Sequence, residues 1–382
     1  MKKNYETLWF PATHFQIGSP KLLVEKTKQL NTHSSGDIVQ LCFILCLELF
    51  SESKIGILNN VLLVLTNERI KHFYVGNNKI KNMKYKAIFF FFLFFRISTT
   101  FAQNEQTIVS EKLNIYFQTF GEGEPVLIIN GGPGMNSKGF ASLAKIIGEK
   151  RKAIIFDQRG TGRSIMSKVD SSTITLDLMI NDIEAIRKYL NIKSWVVLGH
   201  SFGGMLASYY ATKFPKRIKK LILSSSGGID MELFSIIDIT SRLTPLQRDS
   251  LKYWNGKIAE GDTSYYAKFQ RGKNLAPAYL YDTTYIDTIA HRMTQADMLI
   301  NKLVYQNMGK MNFNCSDELK NFNKKVLIIQ GEEDIIPKQI AEKSHRAFKN
   351  SELIYIPKCV HYGWLEQPKM YFNSINRFLL SK

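Results

Sequence analysis

A doubly wound α/β fold, with a mostly parallel sheet and a helical cap inserted between two of its strands, is predicted by three observations. Short continuous apolar runs recur along the chain, stretches of helical period lie between them, and the alternation breaks once, over residues 229–316. The runs Pro125–Ile129, Ala153–Phe156, Trp195–Leu198, Leu221–Ser224, Val326–Ile329 and Leu353–Ile356 are apolar almost throughout, as parallel strands covered on both faces should be. Leu113–Phe120 instead alternates with period two and predicts a strand with one exposed face. Apolar residues at 176, 179, 180, 183, 186 and 190 predict a helix over Leu176–Leu190, and Gly204–Phe214 is a second. Within 229–316 no continuous strand run occurs, and amphipathic stretches carry many aromatics, among them Phe234, Tyr253, Trp254, Tyr279 and Tyr305. Open sheets of this kind bind ligands at the carboxyl ends of their strands, so the loops after those runs are where chemistry is sought.

Composition narrows the class further. With 382 residues, 45% apolar and 22% charged, 10 Pro and 4 Cys, the chain is not a disordered tail, a collagen or a disulfide scaffold. The net charge of +18 raises nucleic acid or an anionic membrane as a partner. The basic residues are not clustered, however: residues 1–102 hold 13 basic and 6 acidic side chains, which leaves +11 spread over 103–382. The densest run, Lys213–Lys220, falls between a helix and a strand and is expected to be a solvated helix end. No nucleic-acid partner is therefore expected.

Near the N-terminus, Met83-Lys84-Tyr85-Lys86 precedes the apolar stretch Ala87–Phe95, and small residues lead to Ala102. This is the layout of a secretory signal peptide over 83–102, cleaved before Gln103. Arg96 interrupts the run far short of the ~20 residues a bilayer needs, so no stable membrane span is expected. A signal peptide must be N-terminal to act, so Met83 is the expected initiator and 1–82 a leader of upstream sequence. The competing reading is a genuine extension, whose apolar pieces Val39–Leu47 and Ile55–Leu65 would be short core or membrane-surface segments. The expected mature chain, 103–382, is exported to a periplasmic or extracellular space and retains Cys315 and Cys359, whose spacing leaves open a disulfide or two buried thiols. Its core is expected in two parts, 103–228 and 317–382, on either side of the cap at 229–316.

The chemistry-bearing motif is Gly199-His200-Ser201-Phe202-Gly203-Gly204, which follows a predicted strand and opens a predicted helix. Glycines on both sides allow a tight turn with close helix–strand packing, which leaves the Ser201 hydroxyl exposed at the top of the sheet. Serine is a weak nucleophile and needs a base within hydrogen-bond reach, itself oriented by an acid. His361 follows the run Leu353–Ile356, whereas His345 is expected on a helix, His291 in the cap, and His200 beside the nucleophile pointing away from it. Asp334, after the run Val326–Ile329, is the candidate acid, with Glu332 and Glu333 as neighbouring alternatives. Asn130-Gly131-Gly132-Pro133-Gly134 follows another strand, where Gly131 or Gly132 can offer an amide to an oxyanion alongside that of Phe202.

On these residues the chain resembles the α/β-hydrolase superfamily, and within it the proline iminopeptidase group of serine peptidases. The resemblance runs through Asn130–Gly134, Asp157-Gln158-Arg159-Gly160-Thr161-Gly162-Arg163-Ser164, the Ser201 elbow, Gly331–Asp334 and His361-Tyr362-Gly363-Trp364-Leu365-Glu366-Gln367-Pro368, and covers nearly all of 105–382. It implies a helical cap, an acyl-enzyme on Ser201 with no metal or cofactor, and a role for 157–164 in shaping a loop beside the site. Two departures stand out. The family's first stretch usually begins with His where this chain has Asn130, and its elbow usually reads Gly-Gly-Ser-Trp-Gly where this one reads Gly-His-Ser-Phe-Gly. The group also holds a substrate amine with cap glutamates, one commonly after a Trp; here the cap offers Glu232 and Glu260 without such a pair, and these two with Trp364, after the candidate base, are the candidate substrate-binding residues. The expected substrate is thus a short peptide or amino-acid amide, with a small ester as the alternative and a non-catalytic binding protein as the rival from another class. The oligomeric state is open.

Overall fold

The computed structural model of the chain describes residues 104–381. The expectations for the leader and the signal peptide lie outside the described residues.

The described residues open with an antiparallel pair, β1 (Asn104–Ser110) and β2 (Leu113–Phe120), reversed through Glu111 and Lys112, which both take a positive φ. β3 (Pro125–Ile129), α1 (Ala141–Gly148), β4 (Lys152–Phe156), α2 (Leu176–Tyr189), β5 (Trp195–His200), α3 (Phe202–Lys213) and β6 (Ile218–Ser224) follow in strict alternation. α2 starts where the Thr175 hydroxyl accepts from the Leu178 amide and ends with Arg187 and Lys188 in its last turn, both favourable at those ends of the helix dipole. After β6 come the helices α4 (Pro245–Ala259), α5 (Tyr265–Leu275), α6 (Ile286–Met293), α7 (Met298–Lys310) and the short α8 (Ser316–Leu319). The core resumes with β7 (Lys325–Gly331), α9 (Lys338–Ala347), β8 (Ser351–Ile356), α10 (Gly363–Glu366) and α11 (Pro368–Leu380).

The eight strands form one sheet in the order β1-β2-β4-β3-β5-β6-β7-β8, antiparallel at β1/β2 and β2/β4 and parallel elsewhere. Strand side chains alternate between two cores, one on each face. Leu127, Ile129 and Val197 enter the first, with α2 and α3, while Val126, Ile128 and Leu198 enter the second, with α1 and α11. Burial on both faces is why these strands are apolar without alternation.

Two elements differ from expectation. β2, predicted to have one wet face, is covered on one and half-covered on the other: Ile115 and Phe117 join the first core and Phe120 the second, while Asn114 stays exposed and Gln118 half-buried. β1 occupies the sheet edge beside it, and its mostly exposed residues gave no apolar run to find. The helices between β6 and β7 leave and rejoin the core at one point: Asp230 pairs with Asn314, and the Cys315 amide donates to Ile229 O at 2.8 Å. Cys315 and Cys359 are both free and buried. Among the described residues no helix is long and apolar enough to cross a membrane.

Candidate active site

Ser201 sits at the junction of β5 and α3 with φ 55° and ψ −122°, a conformation that costs a non-glycine residue about 1–3 kcal/mol and persists only where its surroundings impose it. Here three backbone hydrogen bonds do so. The Ser201 amide donates to Ser224 O at 3.0 Å, and its carbonyl accepts from Gly204 at 2.9 Å and Gly227 at 3.1 Å. The glycines of the elbow are demanded by contact: a Cβ at Gly203 would lie 2.1 Å from Ile129 O, and one at Gly199 would lie 2.2 Å from Gly203 O. Gly131 lies against Ser201 itself, since a Cβ there would come within 2.6 Å of Ser201 Cβ.

His361 and Asp334 are brought together from the loops after β8 and β7, with His361 Nδ1 2.8 Å from Asp334 Oδ1 and both side chains buried. An ionised carboxylate can only accept, so Nδ1 carries the hydrogen and Nε2 is left with its lone pair. The Ile336 amide also donates to Asp334 Oδ1, at 3.1 Å. The alternative acids are occupied elsewhere: Glu333 accepts from the Cys359 amide at 3.1 Å, and Glu332 pairs with Lys338 at 3.3 Å. The His361 ring packs beside His200, with centroids 4.7 Å apart, and meets Tyr279 edge-on at 5.4 Å. No hydrogen bond joins Ser201 Oγ to His361 among the described residues, as is common before substrate draws such a pair together.

His200 points into the protein, where its Nδ1 lies 3.3 Å from Ser224 Oγ. Burial, and then the charges of His361 and Arg292, hold its pKa well below the usual histidine range. A histidine kept neutral in the fold but free to protonate when unfolded contributes stability above its ordinary pKa that is lost as pH falls. Wild-type stability is therefore expected to drop as pH is lowered below about 6.5, with a slope that His200→Gln reduces in parallel urea titrations. An unchanged slope would contradict the burial of a neutral His200.

The candidate oxyanion loop Asn130–Gly134 is braced from the motif after β4. Gln158 Nε2 donates to Asn130 O at 2.9 Å, and Asp157 accepts from the Ser137 amide and hydroxyl at 2.8 and 2.7 Å. Asn130, in the place of the family's usual His, turns its own Nδ2 onto Met135 O at 2.9 Å and closes the loop on itself.

Each of the three candidate substrate-binding residues already has partners within the fold. Glu232 is exposed and ion-paired with Lys343, and Glu260, at the exposed end of α4, pairs with Lys257 at 3.2 Å. Trp364 is 4% exposed and packs edge-on against His200 at 4.8 Å and beside Phe140 at 5.2 Å, so it supports the site from within the core. Sequence spacing could not anticipate this, because lysines distant in sequence supply one of the two partners. Exposed ion pairs contribute little, so Glu232→Gln and Glu260→Gln are each expected to leave kcat/KM within about twofold of wild type. A tenfold loss on an aminoacyl substrate would restore them as amine ligands. The residue that sequence reading passed over is Arg292, on α6 and 7% exposed, whose only sequence signal was a cation amid an otherwise apolar helix face.

A family model described as the alpha/beta hydrolase fold matches residues 124–368. The chain belongs to the α/β-hydrolase family. Among curated relatives, this hydrolase is 26% identical over 279 residues to a proline iminopeptidase of Heyndrickxia coagulans, covering 70% of its own length and 95% of the relative's. It is also 26% identical over 275 residues to a proline iminopeptidase of Thermoplasma volcanium, covering 68% and 88%. Similar solved structures include an esterase from Exiguobacterium antarcticum (TM-score 0.57, 17% identity, 73% of this chain and all of that one). Another is the proline iminopeptidase of Mycobacterium smegmatis (TM-score 0.52, 21% identity, 72% and 97%). At such identities these structures speak to the fold.

Proposed function

We propose that this hydrolase is an exported serine enzyme that works through an acyl-enzyme and releases N-terminal residues, of the proline type, from short peptides or amino-acid amides. The observation that carries the chemistry is the strained Ser201 at the end of β5, with His361 held by Asp334 at 2.8 Å on the loops of neighbouring strands. Ser201 Oγ attacks the carbonyl carbon while His361 Nε2 takes its proton, and Asp334 holds the imidazolium. The oxyanion accepts from the Phe202 amide and from one amide of Gly131-Gly132. His361 returns the proton to the leaving amine as the carbon–nitrogen bond breaks. Water then repeats the sequence on the acyl-enzyme and frees Ser201. None of these steps calls for a metal or cofactor.

The substrate class is supported by the proline iminopeptidases among the relatives. A second reading, a carboxylesterase for small esters, is favoured by the elbow Gly199-His200-Ser201-Phe202-Gly203, which departs from the Gly-Gly-Ser-Trp-Gly usual in the proline iminopeptidase group. Export rests on the segment Met83–Ala102, and N-terminal sequencing of the secreted protein is expected to begin at Gln103.

Assay of the full chain on amino-acid 4-nitroanilides and 4-nitrophenyl esters tests the function directly. Turnover of proline 4-nitroanilide with kcat/KM on the order of 10⁴ M⁻¹s⁻¹ or more is expected. Ester turnover without release of any N-terminal residue selects the second reading, and inactivity on both series sinks the proposal.

A further inference from the structure

The cap helices reach the oxyanion loop at three backbone carbonyls. Arg292 Nη2 donates to Gly131 O at 2.9 Å, Asn301 Nδ2 to Pro133 O at 3.2 Å, and the Asp297 amide to Gly134 O at 2.9 Å. Arg292 Nη1 also donates to the hydroxyl of Tyr362, next in sequence to His361, at 2.9 Å. A single guanidinium carried by α6 therefore joins the loop after β3 to the loop after β8. It lies 5.1 Å from the centroid of Phe140 and 5.6 Å from that of Tyr362, and it is in no ion pair among the described residues. Its Nε, buried, has no hydrogen-bond partner among them.

A buried cation without a carboxylate is costly, and neither a phenol nor a peptide carbonyl requires a charged donor. Peptide geometry indicates what the arrangement accomplishes. Across a trans peptide, the carbonyl of one residue and the N–H of the next point in opposite directions, and no cis peptide occurs among the described residues. With Gly131 O fixed on Arg292, the N–H of Gly132 must face away from the guanidinium. Gly132 takes φ +73°, which glycine adopts freely; its amide, like that of Gly131, has no hydrogen-bond partner among the described residues, so it is the direction set by Gly131 O that distinguishes them.

We propose that Arg292 is a positioning residue, carried by the cap, that makes Gly132 rather than Gly131 the oxyanion donor of this loop and holds that donor in register with the His361 loop. The proposal rests on the serine-hydrolase reading above and adds a consequence to it. Movement of the cap away from the core would release Gly131 O, so a competent oxyanion site exists only with the cap seated.

Full-chain Arg292→Ala and Arg292→Lys, assayed on a 4-nitrophenyl ester with and without added guanidinium ion, test this. Loss of a positioned oxyanion donor typically costs about 10²–10³ in kcat, and that loss is expected for Arg292→Ala with KM changed by less than about threefold. Guanidinium at tens of millimolar, on the order of 50 mM, is expected to restore at least about tenfold of it by refilling the site. Arg292→Lys keeps the charge but cannot span both acceptors, and it is expected to retain the wild-type melting temperature while losing roughly tenfold in kcat. Arg292→Ala with unchanged kcat, a change confined to KM, or a kcat loss in a folded variant that guanidinium does not relieve would each overturn the proposal while leaving the serine-hydrolase reading intact. A wild-type enzyme inactive on all substrates would remove both.

Discussion

Asp334→Asn is expected to lower kcat by about 10⁴-fold while leaving KM nearly unchanged. The acid makes the one hydrogen bond to the His361 ring among the described residues, and an amide in its place can present either a donor or an acceptor to Nδ1. When it donates, the imidazole is driven to the tautomer with its hydrogen on Nε2, which cannot accept the Ser201 proton. The fold should tolerate the change, because the amide has the size of the carboxylate and only the Ile336 hydrogen bond, which shares Oδ1 with Nδ1, is lost in that rotamer. Steady-state kinetics on the best substrate of the panel, with circular dichroism as a check on folding, would measure it. A loss of less than about tenfold would remove Asp334 from the mechanism, since an ion pair that only supports structure has no reason to act on kcat alone.

The largest expected effect on stability lies away from the chemistry, in the motif that most specifically marks the family. Arg159 donates through Nε and Nη2 to both oxygens of Asp182, each at 2.8 Å, and through Nη1 to Thr173 O at 2.9 Å. Ser110 of β1 donates to the same carboxylate at 2.6 Å. Both charged side chains are almost fully buried, at 4% and 1% exposure. Burial raises the pKa of Asp182, and the bidentate guanidinium offsets that penalty by stabilising the charged form. Asp182→Ala leaves the guanidinium buried and unpaired, which costs about 3–5 kcal/mol. For a protein of this size a fall in Tm on the order of 10 °C should follow. The double variant Arg159→Met/Asp182→Leu removes both charges and is expected to recover most of the loss. Urea denaturation of the single and double variants closes the cycle; equal destabilisation in both would mean the pair contributes only through its shape.

What could be predicted from sequence and what could not divides along a physical line. The central strands and the elbow were legible because burial on both faces leaves a continuous apolar run, and because Gly199 and Gly203 are required by contacts within a few residues or with the adjacent strand. The order Ser201, Asp334, His361 could be found because each follows a recognisable strand. β1 was not found, as an exposed edge strand carries no such run. The partners of the cap's candidate substrate contacts were hidden for a different reason. α4 buries only Leu251, so its pattern does not indicate which face meets the core, and the lysine that engages Glu232 comes from α9, more than a hundred residues away. Arg292 was invisible in the same way: its partners Gly131 and Tyr362 are ordinary residues that only the folded chain brings to it.

The central claim is that Ser201 is the nucleophile that forms the acyl-enzyme, and active-site titration with a fluorophosphonate, followed by peptide mapping by mass spectrometry, tests it most directly. The account predicts one adduct per chain, located on Ser201, absent from Ser201→Ala and formed far more slowly in Asp334→Asn. An adduct on another residue, or labelling undiminished in Ser201→Ala, would contradict it.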